Sequence, residues 1–178
     1  MILTDKQCEK LEKELCQDKV TERQRRLGVR NITMALSMLD VGLRITEVVN
    51  LSISDLVIAD QPVRMLNLVR GIPKGHGRRT IPLDDRFQYF VELMNEHWWK
   101  PDTGKPGHFA FYDKSPLKHI TATQFRRIIH KAGIKALGCP VRPNLLRRTC
   151  AARLLRTTDR QTVQRLLDYK TDQDSFYS

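Results

Sequence analysis

The sequence predicts a mainly α fold carrying one small three-stranded antiparallel β-sheet, an α+β domain. Apolar residues recur at helical spacing along most of the chain, as in Ile32, Ala35, Leu36 and Leu39 or Phe87, Phe90, Val91, Met94 and Trp98. Only one stretch, residues 55–83, changes period to short β-prone runs. Inside it, Gly71, Pro73, Gly75 and Gly77 punctuate a hairpin tip. With 178 residues the chain is long enough for one domain with a sizeable core.

The elements follow in order. Thr4 is a helix N-cap and Gln7 completes a capping box, after which Cys8, Leu11 and Leu15 mark an amphipathic helix over residues 5–17. Thr21 caps a second helix that runs to about Leu39, and its first turns hold Arg23, Arg25, Arg26 and Arg30, a solvated face or one lining DNA. A corner follows at Asp40-Val41-Gly42-Leu43-Arg44, and apolar spacing resumes through Val48, Val49 and Leu51. Gly42 lets the backbone turn there or approach another segment closely. The strands are read at Asp55 to Ile58, Val63 to Val69 and Thr80 to Leu83, with a turn at 59–62 and a basic tip from Lys74 to Arg79. A helix from Asp85 to about Trp99 buries its aromatic stripe. The Pro/Gly-rich connection of residues 100–118 contains Phe109-Ala110-Phe111 as a short buried segment. Thr121 or Thr123 caps the next helix, whose apolar face is Phe125, Ile128, Ile129 and Ala132, and Gly133 and Gly138 mark its end. Asn144 is the expected N-cap of a helix over 145–156, and Asp159 that of a short last helix.

Composition narrows the function. Hydrophobic residues at 40% and charged residues at 29% fit a soluble globular protein, and no apolar run approaches the ~20 residues of a membrane span. The N-terminus does not read as a signal peptide, so a cytoplasmic setting without a membrane partner is expected. The net charge of +11 points to a polyanionic partner, double-stranded DNA above all. The four cysteines are too widely spaced for a metal pattern, the five histidines are dispersed, and no acidic cluster suits magnesium. Neither metal nor other cofactor is expected, and the basic tip lacks the nucleotide-binding G-x-x-x-x-G-K-[ST] pattern.

Arg44 sits between two buried stripes and needs an anionic partner. Glu47, three residues along, supplies a structural pair; a phosphate held by a rigid arginine is the functional alternative. Four segments bear on that choice. Gly42-Leu43-Arg44-Ile45-Thr46-Glu47 resembles the first arginine box of the tyrosine recombinases, the phage integrase family. Lys74-Gly75 with Arg79-Thr80-Ile81-Pro82-Leu83 is similar to that family's lysine-bearing β-hairpin. Pro143-Asn144-Leu145-Leu146-Arg147-Arg148-Thr149 resembles the second box, usually His-x-x-Arg. Leu166-Leu167-Asp168-Tyr169 is similar to a Leu-Gly-His segment, and Tyr177 stands at about the nucleophile's place.

The resemblance implies a tyrosine recombinase catalytic-domain fold over residues 1–178, without the family's usual N-terminal DNA-clamping domain. It implies Arg44, Lys74, Asn144, Arg147, Tyr169 and Tyr177 as catalytic residues, with Glu47 supporting Arg44. Arg78, Arg79, Arg126, Arg127 and Arg148 are candidate DNA contacts. Asn144 replaces the usual histidine and cannot act as a base, though its amide can donate to a phosphate oxygen. Tyr169 likewise replaces histidine or tryptophan. The chemistry so implied is cleavage and rejoining of DNA at a specific site through a 3′-phosphotyrosyl link, which conserves the bond energy and requires no ATP. Assembly as a tetramer on DNA is a further implication of the family. A catalytically silent DNA-binding protein on the same fold is the alternative, and a type IB topoisomerase a more distant one.

Overall fold

A computed structural model describes residues 2–16, 21–68, 79–102 and 105–168. The mainly helical architecture with a minor antiparallel β component is the one expected. Helix α1 (Asp5–Cys16) begins at the Thr4–Gln7 capping box, where the Gln7 side chain accepts the Thr4 N–H at 2.9 Å. Helix α2 (Glu22–Leu39) starts at Thr21, whose hydroxyl accepts the Gln24 N–H.

α2 is the axis of the domain. Every residue from Val29 to Leu39 except Asn31 is buried, and α1, α5 (Asp85–Met94) and α7 (Pro143–Leu154) pack around it. Two hydroxyls fall inside this core, and the helix satisfies them itself. Thr33 donates to Val29 O at 2.7 Å and Ser37 to Thr33 O at 2.8 Å, so neither carries the cost of a buried unpaired group.

Arg26 and Arg30 do not form a DNA-facing surface. Arg26 donates to His97 O and pairs with Asp102 at 2.6 Å, while Arg30 donates to Tyr112 O at 2.9 Å. Both guanidinium carbons lie about 5 Å from the Trp98 ring centroid. Weakly hydrated guanidiniums stack on aromatic rings at small desolvation cost, which a basic-cluster reading of sequence does not register. Trp98 reaches them because α5 ends in a wide π turn, Asn95–Trp99, which buries the consecutive Trp98 and Trp99.

After Gly42, helix α3 (Ile45–Asn50) and a single turn, α4 (Ile53–Leu56), precede the strands. Asp55 is therefore helical, not the start of a strand, because its carboxylate accepts the Ser52 N–H at 2.7 Å and caps the turn. In place of one three-stranded sheet, the described strands form two separate two-stranded ladders, β1 (Val57–Ile58) with β2 (Gln61–Pro62) and β3 (Met65–Leu68) with β4 (Arg79–Pro82). Ala59 and Asp60, with φ of 49° and 62°, close the first as a tight hairpin. Pro62 has no N–H with which to extend that ladder, and the chain bends at Arg64 before β3 begins. In the second ladder Leu66 faces Ile81 on the buried side, and Leu68 faces Arg79. The face that buries Ile81 therefore also carries Arg79 inward.

Within the Phe109-Ala110-Phe111 segment, Ala110 and Phe111 are buried as expected and Phe109 is half-buried, with Ala110 N–H donating to Leu51 O at 2.7 Å. Helix α6 (Ala122–Leu137) is capped by Thr121 and stopped by Gly138, whereas Gly133 lies inside it against Val141. α7 begins two residues earlier than expected, with Arg142 as N-cap and Asn144 as the second helical residue. Pro143 explains the shift: its fixed φ suits the first helical position and forces an extended Arg142, here at ψ 144°. Asp159 caps α8 (Arg160–Leu167). Buried apolar residues form one main cluster, and a second, small one (Cys150, Ala151, Val163, Leu167) holds α8 on α7. No helix among the described residues is long and apolar enough to cross a membrane.

Gly42 and Gly138 share a φ of 72°, yet a Cβ on Gly42 would meet Leu167 Cδ2 at 2.3 Å and one on Gly138 would meet nothing within 4 Å. Gly138→Ala should thus cost about 1 kcal/mol of left-handed strain, and Gly42→Ala about 3 kcal/mol once overpacking is added. Urea midpoints measure both, and equal losses would contradict the close approach at Gly42.

Candidate active site

The corner between α2 and α3 presents Arg44 at its exit, β4 presents Arg79, and the first turns of α7 present Arg147. These three side chains converge on one carboxylate. Glu47 Oε2 accepts from Arg79 Nη2 at 2.7 Å and lies 3.9 Å from Arg147 Nη1, while Oε1 is 3.5 Å from Arg44 Nη1. Glu47 also accepts the Arg44 backbone N–H at 2.7 Å, which caps the first turn of α3 and fixes the carboxylate in place. The Glu47 and Arg147 side chains are 8% and 6% exposed, so this is charge compensation away from bulk water, where it matters most.

Arg147 is held further by two backbone acceptors, Gly42 O and Leu167 O. The tight Gly42 corner and the C-terminal end of α8 thus both close on one guanidinium. Arg44 is shallower, with its side chain 30% exposed. Its Nη1 pairs with the Asp168 carboxylate at 2.8 Å, and its Nη2 donates to Asp168 O. Permanently charged planar forks arranged in this way can receive an oxyanion bidentately, and they keep their charge at any working pH.

The other expected site residues fare differently. Asn144 is exposed near the start of α7, and Arg126 and Arg127 are exposed on α6. Arg79 is not a surface contact: its side chain is 10% exposed and committed to Glu47. Arg148 is half-buried, with Nε and Nη2 buried and without hydrogen bonds. Lys74, Arg78, Tyr169 and Tyr177 lie outside the described residues. The sequence reading missed Asp168, which the resemblance places at the glycine of a Leu-Gly-His segment; a carboxylate at that position was the available signal.

The sequence pattern that defines the phage integrase family matches residues 2–174. The chain belongs to the phage integrase family. Among curated relatives, tyrosine recombinase XerC of Proteus mirabilis is 29% identical over 148 residues, which is 80% of this chain and 45% of that protein. Tyrosine recombinase XerD of Pseudomonas aeruginosa is 27% identical, over 80% of this chain and 47% of that protein. The chain spans about half the length of the curated relatives it matches. The crystal structure of XerA recombinase superposes with a TM-score of 0.73 at 19% identity, covering 96% of this chain and 57% of that one. XerH site-specific recombinase bound to difH substrate gives 0.72 at 16%, covering 96% of this chain and 47% of that one. At these identities the structural likeness is one of fold.

Four residues before Arg44 lies a second charged group with a different balance. Asp40, the C-cap of α2, is 7% exposed at its side chain, and its Oδ2 has no hydrogen bond. Arg86 and Arg153 approach no closer than 3.6 and 3.7 Å. Burial pushes its carboxyl up from the ordinary 3.8 to about 6, with Arg86 opposing the shift and Asp84 and Glu12 adding to it.

Two outcomes follow from these carboxylates. Glu47→Gln leaves three arginines without their shared anion and should lower stability by roughly 3 kcal/mol, a loss that added salt partly restores. Folded Asp40 holds its proton up to about pH 6 while the unfolded chain releases it near 3.8. The folded state therefore binds more protons in that window, and Asp40 should add stability as pH falls from 7 towards 4, about 3 kcal/mol in full. Thermal melts across this range should show the rise, and Asp40→Asn should flatten it; an unchanged pH slope in that variant would assign the effect elsewhere.

Proposed function

We propose that this chain carries the catalytic centre of a site-specific DNA recombinase that cleaves and rejoins duplex DNA through a 3′-phosphotyrosyl intermediate. The observation that supports it most is the convergence of Arg44, Arg79 and Arg147 on Glu47, which assembles cationic groups from three chain segments at one place. A recombinase needs such a place because displacement at a phosphodiester builds negative charge on the nonbridging oxygens. Arg44 and Arg147 would bind those oxygens, and Glu47 and Arg79 would hold the two arginines in register.

In this reading Tyr177 Oη gives up its proton to solvent water and bonds to phosphorus. The bond from phosphorus to the 5′-oxygen breaks, and the Lys74 ammonium gives that oxygen its proton. Attack by a 5′-hydroxyl on the phosphotyrosine reverses each step and releases Tyr177. Asn144 would donate a hydrogen bond to the phosphate and move no proton. The exposed Arg126 and Arg127 on α6 would track the backbone of double-stranded DNA, and exchange would take place in a tetramer assembled on two sites. The second reading, a silent DNA-binding protein, draws its support from the amide at Asn144, which cannot titrate.

Nicked duplex DNA that traps the covalent intermediate separates the two. The chain should form a protein–DNA adduct that survives denaturation. Tyr177→Phe should abolish it, and Arg147→Ala, with folding verified by circular dichroism, should reduce it roughly a hundredfold or more. An adduct that persists in Tyr177→Phe would sink the nucleophile assignment, and tight, salt-sensitive binding with no adduct would favour the silent binder.

A further inference from the structure

The two arginines that the proposed function assigns to a phosphate are held by the same short piece of chain. Leu167 O accepts from Arg147, Asp168 O accepts from Arg44, and the Asp168 carboxylate pairs with Arg44 Nη1 at 2.8 Å. These acceptors stand at the C-terminal end of α8, where the helix dipole adds partial negative charge. We infer that Asp168 is a built-in phosphate surrogate, a latch that occupies Arg44 and that a DNA phosphodiester must displace before chemistry. The inference rests on the recombinase reading for the identity of the displacing anion, but not for the existence of the latch.

Depth separates the two arginines. Arg147 is 6% exposed and bound to backbone carbonyls, which suits a fixed element. Arg44 and Asp168 are 30% and 29% exposed, so water and anions reach the pair. Part-exposed ion pairs of this kind are weak and exchange readily. A phosphodiester presented by bound DNA brings its own oxygens to the same fork and gains further from Arg147 nearby. Asp168 also holds a left-handed backbone, φ 52°, a conformation that glycine or asparagine adopts at less cost. The chain therefore keeps a carboxylate at a position whose backbone does not favour one, and that carboxylate lies on Arg44.

The latch sets the anion affinity of the resting site. With Arg44 occupied for most of the time, apparent affinity falls by the fraction of molecules in which it is open. A site closed in this way discriminates against free phosphate and loose nucleotides, and admits an anion delivered by many simultaneous DNA contacts.

The test is titration of the full chain with inorganic phosphate by calorimetry, in wild type, Asp168→Asn and Asp168→Gly. Asparagine tolerates the left-handed backbone and glycine relieves it, so the two variants remove the carboxylate with opposite demands on the fold. Both should bind phosphate roughly five- to tenfold more tightly than wild type, and the gain should vanish when Arg44→Ala is added. Unchanged or weaker binding in both variants, with thermal melts intact, overturns the latch and makes Asp168 a residue that positions Arg44. In the wild type itself, the Asp168 carboxylate 13C signal should move as phosphate is added; a signal that stays fixed while phosphate binds also overturns it. The adduct assay stands apart from these readings. Tighter phosphate binding in Asp168→Asn without any wild-type adduct keeps the latch and removes the recombinase reading, and the opposite pattern does the reverse.

Discussion

One carboxylate sets the terms for the rest of this site. Three guanidiniums brought within reach of each other repel, and burial removes the water that would screen them. Glu47 makes the arrangement stable by standing where Arg44, Arg79 and Arg147 all reach it. It is itself held by a backbone N–H at the start of α3, so the anion does not drift with its partners. Charge balance is thus bound to helix capping, and the capped turn is the one that follows Arg44.

Backbone geometry supplies the second constraint. The left-handed turn at Gly42 points a carbonyl at Arg147 and leaves room for Leu167 against the bare α-carbon. One glycine therefore aims an acceptor and admits the helix whose end supplies the other acceptor. Further from the arginines, Asp40 carries the opposite kind of imbalance, a buried carboxylate whose cationic neighbours stay at arm's length. The corner of the fold that carries Arg44 is flanked by one well-compensated acid and one poorly compensated acid.

Much of this was legible in the residues. Capping signals at Thr4, Thr21, Thr121 and Asp159 located helix starts because a hydroxyl or carboxylate finds the free N–H groups wherever a helix begins. Gly42, Arg44, Glu47 and Arg147 were legible because their order matched a family, and the structure brings all four together. What stayed hidden depended on partners distant in sequence. Arg26 and Arg30 look like a basic surface until Trp98, about 70 residues on, lies beside them. Arg79 looks like a hairpin-tip charge until strand alternation turns it inward with Ile81. Asp168 showed only as a carboxylate at an unusual place, since its contacts with Arg44 form when the end of α8 meets the α2–α3 corner. Asn144 was misplaced for a local reason: proline at the first helical position outranked asparagine as a cap.

The small apolar cluster beneath α8 has a dynamic meaning. Helices α1, α2, α5 and α6 contribute to one large core, whereas α8 rests on Val163 and Leu167 against a few side chains of α7, with further contact to β4 and Gly42. Cooperative units with little buried apolar surface open at lower free energy than the global transition. Such an opening carries Leu167 and Asp168 away together, and with them the acceptors on both arginines. Amide hydrogens of α8 would then exchange through subglobal opening while those of α2 wait for global unfolding.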